Sequence, residues 1–337
     1  MVQNIDQFIN TLFEEFNPKQ KKVAFGRFGL KNGKRFTLQE IGDELGITRE
    51  RVRQIEEQLL SKLRDRVRKD AKELIDSATK RLDSMQGVEF DGTFISAMKE
   101  KLPSNNDVKY ATEKLRFIFL AAGIPQHAKE DDSMNAYWFS TKESKENFVS
   151  FVKRITQFFK GGDRNQILRE KSYLSECRGC EHLLKIPKHF GVNVFGDLGL
   201  RDWAEIEPKT IRDKAYLVLK KHGQPLHFVS VAKNINEFGL DKKKAHTQTV
   251  HNELIKDNRF VLVGRGIYGL KEHGFEAGTV REVITTLLKK HGPLSSTEVV
   301  TLVNKQRFLK ENTILLSLQN RKYFSRIENG KYHTKQA

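Results

Sequence analysis

Thr37-Leu38-Gln39-Glu40-Ile41-Gly42-Asp43-Glu44-Leu45-Gly46-Ile47-Thr48-Arg49-Glu50-Arg51-Val52-Arg53-Gln54-Ile55-Glu56 reads as two short helices joined by a tight turn. Thr37 is placed to cap the first helix, and Glu40 three residues on completes a capping box. Ile41 and Leu45, one turn apart, give that helix an apolar face. Gly42 keeps it thin where a second helix crosses closely, and Gly46 supplies the positive φ of a sharp turn, which is costly for any residue with a Cβ. Thr48 caps the second helix, whose core face is Val52, Ile55 and Leu59. The pattern is a helix-turn-helix, and its second helix is the one expected in a major groove.

At about 100° per residue, the side opposite Val52 and Ile55 carries Glu50, Arg53, Gln54 and Glu57, with Arg49 and Arg51 flanking. These residue types read base edges: Arg pairs with guanine, Gln with adenine, and Glu accepts from the cytosine amino group. A merely solvated charged face is the plainer alternative. Capping, turn glycine, core spacing and face chemistry all point instead to a reader.

Upstream, Ile5, Phe8, Ile9, Leu12, Phe13 and Phe16 repeat at helical spacing up to Asn17-Pro18, and this helix is expected to pack on a Lys19–Leu30 helix. Downstream, Leu59, Leu63, Val67, Ala71, Leu74, Ala78 and Leu82 continue every three or four positions, so the second helix runs on, or breaks and resumes. Lys62, Arg64, Arg66, Arg68, Lys69 and Lys72 flank this narrow stripe. It suits packing on the next domain better than a dimerising coiled-coil seam.

Phe25-Gly26-Arg27-Phe28-Gly29-Leu30, then Phe36 to Gly42, then Gly46 to Glu56 resemble region four of the sigma-70 family of bacterial sigma factors. The likeness runs from about Asn17 to Arg64. In that family the module binds the −35 promoter element and docks on the flap of RNA polymerase. The resemblance makes Arg49, Glu50, Arg53 and Gln54 base and backbone readers and Arg51 a phosphate contact, with Thr48 and Glu57 completing the DNA-binding set. It also implies a module, about residues 1–84, that binds duplex by itself. Little chain precedes Asn17, so the family's core-binding and promoter-melting region is expected to be missing; Phe117 and Phe119 in the apolar run Leu115–Leu120 read as core instead.

An excess of 60 Lys and Arg over 43 Asp and Glu gives +17 and selects a polyanionic partner, most simply double-stranded DNA. The start is polar, and the longest apolar run, Leu115–Ile124 with Arg116 in it, falls far short of the ~20 residues that span a bilayer, so neither signal peptide nor membrane is expected. Two cysteines exclude a disulfide framework and fit a cytoplasmic, nucleoid-associated location.

The middle is less legible. Gln86 to Gly92 reads as a linker; helical patterns cover Phe94–Leu102, Val108–Ala122 and Lys145–Phe159, with a strand at Ala136–Ser140. Asp132, Glu143 and Lys145 stand at a spacing used by some metal-dependent nucleases, but no strand pattern frames them. Cys177 and Cys180 with His182 and His189 are considered as half a zinc site; the histidine spacing is wrong for one, and two half-buried thiols are expected.

Near the C-terminus Lys220-Lys221-His222-Gly223-Gln224-Pro225-Leu226 returns as Lys289-Lys290-His291-Gly292-Pro293-Leu294. Each copy runs helix, helix, helix and then strand–turn–strand, a winged helix, with Arg265 or Lys331 at the wing tip to lie along phosphates. Val194–Leu200 reads as a degenerate earlier wing. The first copy, about Ile211 to Leu270, resembles the HARE-HTH domain through Gly223-Gln224-Pro225-Leu226-His227-Phe228, His246-Thr247-Gln248-Thr249-Val250 and Arg259-Phe260-Val261-Leu262. That family acts as a nucleic-acid or protein adaptor.

The expected fold is therefore mainly α: a helix-turn-helix domain (1–85), a helical middle domain with a degenerate winged helix as the alternative (90–205), and tandem winged helices with short β-hairpin wings (206–272 and 273–337). The expected function is a sequence-specific DNA-binding transcription regulator, using Thr48, Arg49, Glu50, Arg51, Arg53, Gln54, Glu57 and Arg265. A factor bound to bacterial RNA polymerase, sigma-like or delta-like, is the alternative. No Gly-rich phosphate loop or nucleophile–base pair marks an enzyme, and no cofactor or metal is expected.

Overall fold

The computed structural model describes residues 4–102, 109–275, 277–305, 307–327 and 329–335. The chain forms two compact units, Met1–Gly191 and Val192–Ala337. In the first, α1 (Ile5–Leu12), α2 (Pro18–Phe28), α3 (Leu38–Leu45), α4 (Arg49–Asp70) and α5 (Lys72–Ser84) lead into β1 (Val88–Phe90). Then come α6 (Asp91–Glu100), α7 (Ala111–Ala122), β2 (Gln126–Ala128), β3 (Tyr137–Phe139), α8 (Lys142–Gly161), α9 (Arg164–Glu170), α10 (Tyr173–Glu176) and β4 (Phe190–Val192). The second unit holds β5 (Leu198–Leu200), α11 (Ile211–His222), β6 (Leu226–His227), α12 (Phe228–Glu237), α13 (Thr247–Lys256), β7 (Phe260–Gly264) and β8 (Ile267–Leu270). It ends with α14 (Val280–His291), α15 (Ser296–Asn304), α16 (Glu311–Leu318), β9 (Phe324–Arg326) and β10 (Tyr332–Thr334).

The second helix of the helix-turn-helix does run on: α4 is 22 residues long, about 33 Å at the helical rise. Its N-terminal half belongs to a small core of Val23, Ile41, Val52 and Ile55. Its C-terminal half, Leu59, Leu63 and Val67, belongs to a different and larger one. That larger core joins α1 and α2 (Ile5, Ile9, Phe13, Phe28) to α6 and α7 (Phe94, Met98, Leu115, Phe117, Phe119) and to Trp138. Phe117 stacks on Phe13 at 5.5 Å and meets Phe28 at 5.0 Å between ring centroids. Phe117 and Phe119 are core, as their alternation implied. The packing therefore ignores the break expected after residue 85. A piece ending near Ser84 would bare Phe13, Phe28, Leu59 and Leu63, so the expectation that it binds duplex alone does not hold.

Gln86–Gly92 is not a linker. It contains β1, whose Glu89 is buried and paired with Arg81 through bonds of 2.8 and 2.6 Å. Helix, strand, two helices and two strands follow in order from α5 to β3, and the sheet runs β1-β3-β2. The second unit repeats this from α11 to β8, with the order β6-β8-β7. It does so again from α14 to β10, where Leu294 replaces the first strand by a two-way backbone bridge to Tyr332 (3.1 and 2.7 Å). The chain thus holds three winged-helix orders. The earliest begins upstream of the middle region, at α5, and its wing is β2–β3 rather than Val194–Leu200. Residues 193–197 are instead a turn in which Asn193 Oδ1 accepts from the N–H groups of Phe195 and Asp197, both at 2.9 Å. The expected strand at Ala136–Ser140 appears as β3, and the expected helices as α6, α7 and α8; Val108, the predicted start of α7, lies outside the described residues, as does Glu328 in the last wing.

Candidate nucleic-acid interface

The turn between α3 and α4 is fixed by hydrogen bonds that the sequence specifies. Glu40 N–H donates to Thr37 Oγ1 at 3.1 Å, and Thr37 N–H donates back to Glu40 Oε2 at 2.6 Å. That backbone donor holds the Glu40 carboxyl below its ordinary range. Gly46 ends α3 at φ 63°, the left-handed region glycine occupies without strain. At Gly42 a Cβ would stand 2.6 Å from the Ile47 carbonyl oxygen, so what comes close is the turn backbone rather than the side of the crossing helix. Thr48 Oγ1 accepts from Arg51 N–H at 3.2 Å and starts α4.

The rotation of α4 about its axis decides which side chains face outward. Val52 and Ile55 are buried. Arg27, half-buried on α2, donates from Nε to Glu56 Oε2 at 2.6 Å and from its guanidinium to the Phe36 carbonyl at 2.7 Å. This clasp pins α4 to α2 from the side. Glu56 carries a structural role that the resemblance to a reading helix did not single out, and its half-buried position explains why.

Opposite lie Thr48, Arg49, Glu50, Arg51, Arg53, Gln54 and Glu57, all exposed on one continuous face. They are prearranged. Arg53 donates to Glu50 at 2.6–3.1 Å and also bonds Glu57, while Arg51 donates to Gln54 Oε1 at 3.1 Å. The Arg53 bond holds the Glu50 carboxyl below its ordinary range, and Glu50 raises the guanidinium in turn. Solvent-exposed pairs of this spacing are worth only about 0.3–0.5 kcal/mol each, so a base edge or phosphate can replace them.

The winged helices differ in what their third helix offers. α7 is covered: Leu115, Phe117, Ile118 and Phe119 are fully buried, and Arg68 of α4 donates to the Ala122 carbonyl at 2.8 Å. α13 buries Val250 and Leu254 and leaves Gln248, Thr249 and Asn252 exposed. Lys242, Lys243 and Lys244 lie exposed before it, on a loop held by Asn236, which accepts from Ala245 N–H at 2.7 Å, and by the 2.6 Å pair of Lys214 with Asp241. Arg265 is exposed in the two-residue turn between β7 and β8, beside Gly266 at φ 70°. Sequence alone points to Arg265 but not to Gln248, Asn252 or the lysine run. The repeat itself was the signal for them, since the third helix of a winged helix holds the place of a reading helix.

The other constellations do not assemble. Glu143 and Lys145 lie in the first turn of α8, where Lys145 sits over the Phe139 ring at 5.3 Å. Cys177 is buried, and burial pushes its thiol up to about 11. Cys180 contacts Gln86 Oε1 at 2.9 Å, His182 Nε2 lies 3.1 Å from the Met85 carbonyl, and His189 Nε2 is 2.8 Å from Thr156 Oγ1. Among the described residues no group of three or more His, Cys, Asp or Glu is placed to hold a metal ion, and no helix is long and apolar enough to cross a membrane.

Residues 12–65 match the family described as Sigma-70, region 4, and residues 209–273 match the HARE-HTH family, described as an ASXL and restriction endonuclease HTH domain. Similar proteins include RNA polymerase sigma-B factor of Nostoc sp., 48% identical over 58 residues (17% of this chain, 18% of that protein). RNA polymerase sigma factor SigA of Clostridium acetobutylicum is 48% identical over 58 residues (17% and 14%), and RNA polymerase sigma factor sigB of Arabidopsis thaliana 41% over 68 (20% and 11%). The chain thus spans between 11% and 18% of the length of these relatives. Geometry and comparisons agree on an N-terminal helix-turn-helix of the sigma region-four type and a HARE-HTH winged helix after it, the modules of a DNA-binding protein of transcription.

Proposed function

We propose that the protein is a sequence-specific regulator of transcription that reads duplex DNA through Thr48, Arg49, Glu50, Arg51, Arg53, Gln54 and Glu57 on the first turns of α4. One observation carries the reading: the Arg27–Glu56 clasp and the buried Val52 and Ile55 leave those side chains as one exposed face at the helix N-terminus. The winged helix of α11–β8 adds electrostatic affinity through Arg265 and the lysines before α13. Selection from random duplexes with the full chain, followed by footprinting, tests this. A defined consensus that dissolves when Arg53 and Gln54 are replaced supports the reading, and selection of no sequence defeats it.

A second reading, a polymerase-associated factor, is favoured by a separate feature. An open cleft of about 630 Å³ between α2 and α3 is lined by Phe25, Phe36 and Ile41 with Lys21, Lys22 and Lys31 at its rim. Apolar walls of this kind suit a protein partner, and the similar proteins are RNA polymerase sigma factors. Capture of core polymerase without DNA, lost on Phe36→Asp, would favour this reading over the first.

A further inference from the structure

β7 and β9 are corresponding strands of the two C-terminal winged helices, and each stands at the edge of its sheet. The chain itself fills the edge of β7. Phe308 N–H donates to the Val263 carbonyl at 2.8 Å, and the buried Arg307 donates to the carbonyls of Leu262 (2.8 Å) and Gly278 (2.9 Å). Gly264 admits this approach, since a Cβ there would lie 2.8 Å from the Phe308 carbonyl oxygen. Among the described residues no segment covers β9 in this way. Beside it opens a cleft of about 580 Å³ lined by Leu318, Arg321, Phe324, Arg326, Tyr332 and Lys335. Arg326 donates only to the Gly330 carbonyl, at 3.2 Å, and none of Arg321, Arg326 and Lys335 meets a carboxylate among the described residues.

We infer that β9 accepts an extended acidic peptide as an added strand, whose backbone pairs with the strand edge while its carboxylates meet Arg321, Arg326 and Lys335. The chain's own filler, Arg307–Phe308, is already engaged on β7, so a second copy cannot repeat that contact on β9. Duplex DNA fits poorly, because α16, the helix that would enter a groove, shows Glu311 and a 70% exposed Leu316 on its outer side. This inference stands apart from the reading of α4.

The test uses the full chain and a labelled peptide of about twelve residues alternating Glu with Val, against a twin of equal charge with Pro at alternate Val positions. Fluorescence anisotropy should show the alternating peptide binding at least about tenfold more tightly than the twin, which lacks the donors. Combined Arg321→Glu and Arg326→Glu should weaken it by more than about tenfold, whereas Lys160→Glu, at the exposed end of α8, should leave it unchanged. Amide exchange at 324–327 should slow with the alternating peptide alone. If circular dichroism shows the double variant misfolded, Lys335→Glu takes its place, with several-fold weakening expected. Equal binding of the twin would reduce the site to charge alone, displacement by a short duplex would make it a nucleic-acid surface, and no binding of either peptide would make it a merely guarded edge; each overturns the proposal.

Discussion

α7 and α13 hold the same place in the same fold, the third helix of a winged helix, and they do opposite things. α7 is sealed beneath α4 by Phe117, Ile118 and Phe119, whereas α13 keeps Gln248 and Asn252 bare. In the first case the winged helix is a platform: its third helix holds the C-terminal half of α4 so that the N-terminal half projects. In the second it is an open module. A fold therefore does not say which of its helices meets DNA; burial does.

Removing the platform tests this most severely. Residues 1–84 alone should not fold cooperatively, seen as absence of a sigmoidal urea transition by circular dichroism, because half of the α4 stripe loses its cover. Within the full chain, Phe117→Ala should cost about 3–5 kcal/mol of the stability of the first unit, while Asn252→Ala on α13 stays within about 0.5 kcal/mol. Equal urea midpoints for the two variants would erase the distinction between the helices.

The two winged helices also differ in their ionic clasps. In the first, Asp91 accepts from Arg116 (3.0 and 2.5 Å) and from Trp138 Nε1 (2.9 Å), tying α6 to α7 and β3. Burial pushes the Asp91 carboxyl up, but His127, Arg116 and Trp138 around it outweigh this and hold it well below the usual carboxylate range. In the second, Arg259 lies half-exposed between Asp257 (2.7 Å) and Asp213 (3.2 Å). A depressed carboxyl stabilises the fold above the unfolded Asp value of about 3.9, and this is lost as pH falls below it toward the folded value. Asp91→Asn should therefore cost about 3 kcal/mol at neutral pH and flatten the acid limb of the first unit. Asp213→Asn, in a solvent-screened pair, should cost no more than about 1 kcal/mol. Matched losses would mean that the first clasp is no more sheltered than the second.

The reader was legible from sequence because its signals are local. Thr37, Glu40, Gly46 and Thr48 act within a few residues, and the spacing of Val52 and Ile55 fixes the outer face. Platform and linker were not legible, for the opposite reason. Leu59, Leu63 and Val67 announce an apolar stripe, but only tertiary contact with Phe117 says what covers it. Gln86 and Gly87 look like a break because they are a turn, yet Val88–Phe90 pairs with Tyr137–Phe139, some fifty positions on, a partner no local pattern reveals. The first wing was sought at Val194–Leu200, where a glycine-rich run mimics a hairpin, while β2 and β3 are separated by a longer loop without that signature.

On α4 itself the expected effects are smaller and separable. Arg53→Ala or Gln54→Ala should cost about 1–3 kcal/mol on the selected site and little on random duplex. Arg51→Ala should weaken both alike and flatten the salt dependence. Anisotropy titrations of site and random duplexes across a salt series separate these outcomes. A uniform loss from Arg53→Ala would move that side chain from base to phosphate.

The smallest effect concerns the open module. Arg265 stands on a turn whose strand is braced by Phe308, so its guanidinium is presented from a fixed base. A single phosphate contact contributes about 0.9 to the slope of log affinity against log salt. Arg265→Glu should therefore lower affinity for long duplexes several-fold and flatten that slope by about one to two, with the selected sequence unchanged. Around this helix, however, Val229, Ile255 and Leu262 are 48–62% exposed, a composition suited to a protein partner. A null result for Arg265→Glu on every duplex, with Ile255→Asp abolishing capture of core polymerase, would make α13 a docking helix. The contrast with α7 would then lie between a surface covered by the chain itself and one covered by a partner, with α4 left as the helix that meets DNA.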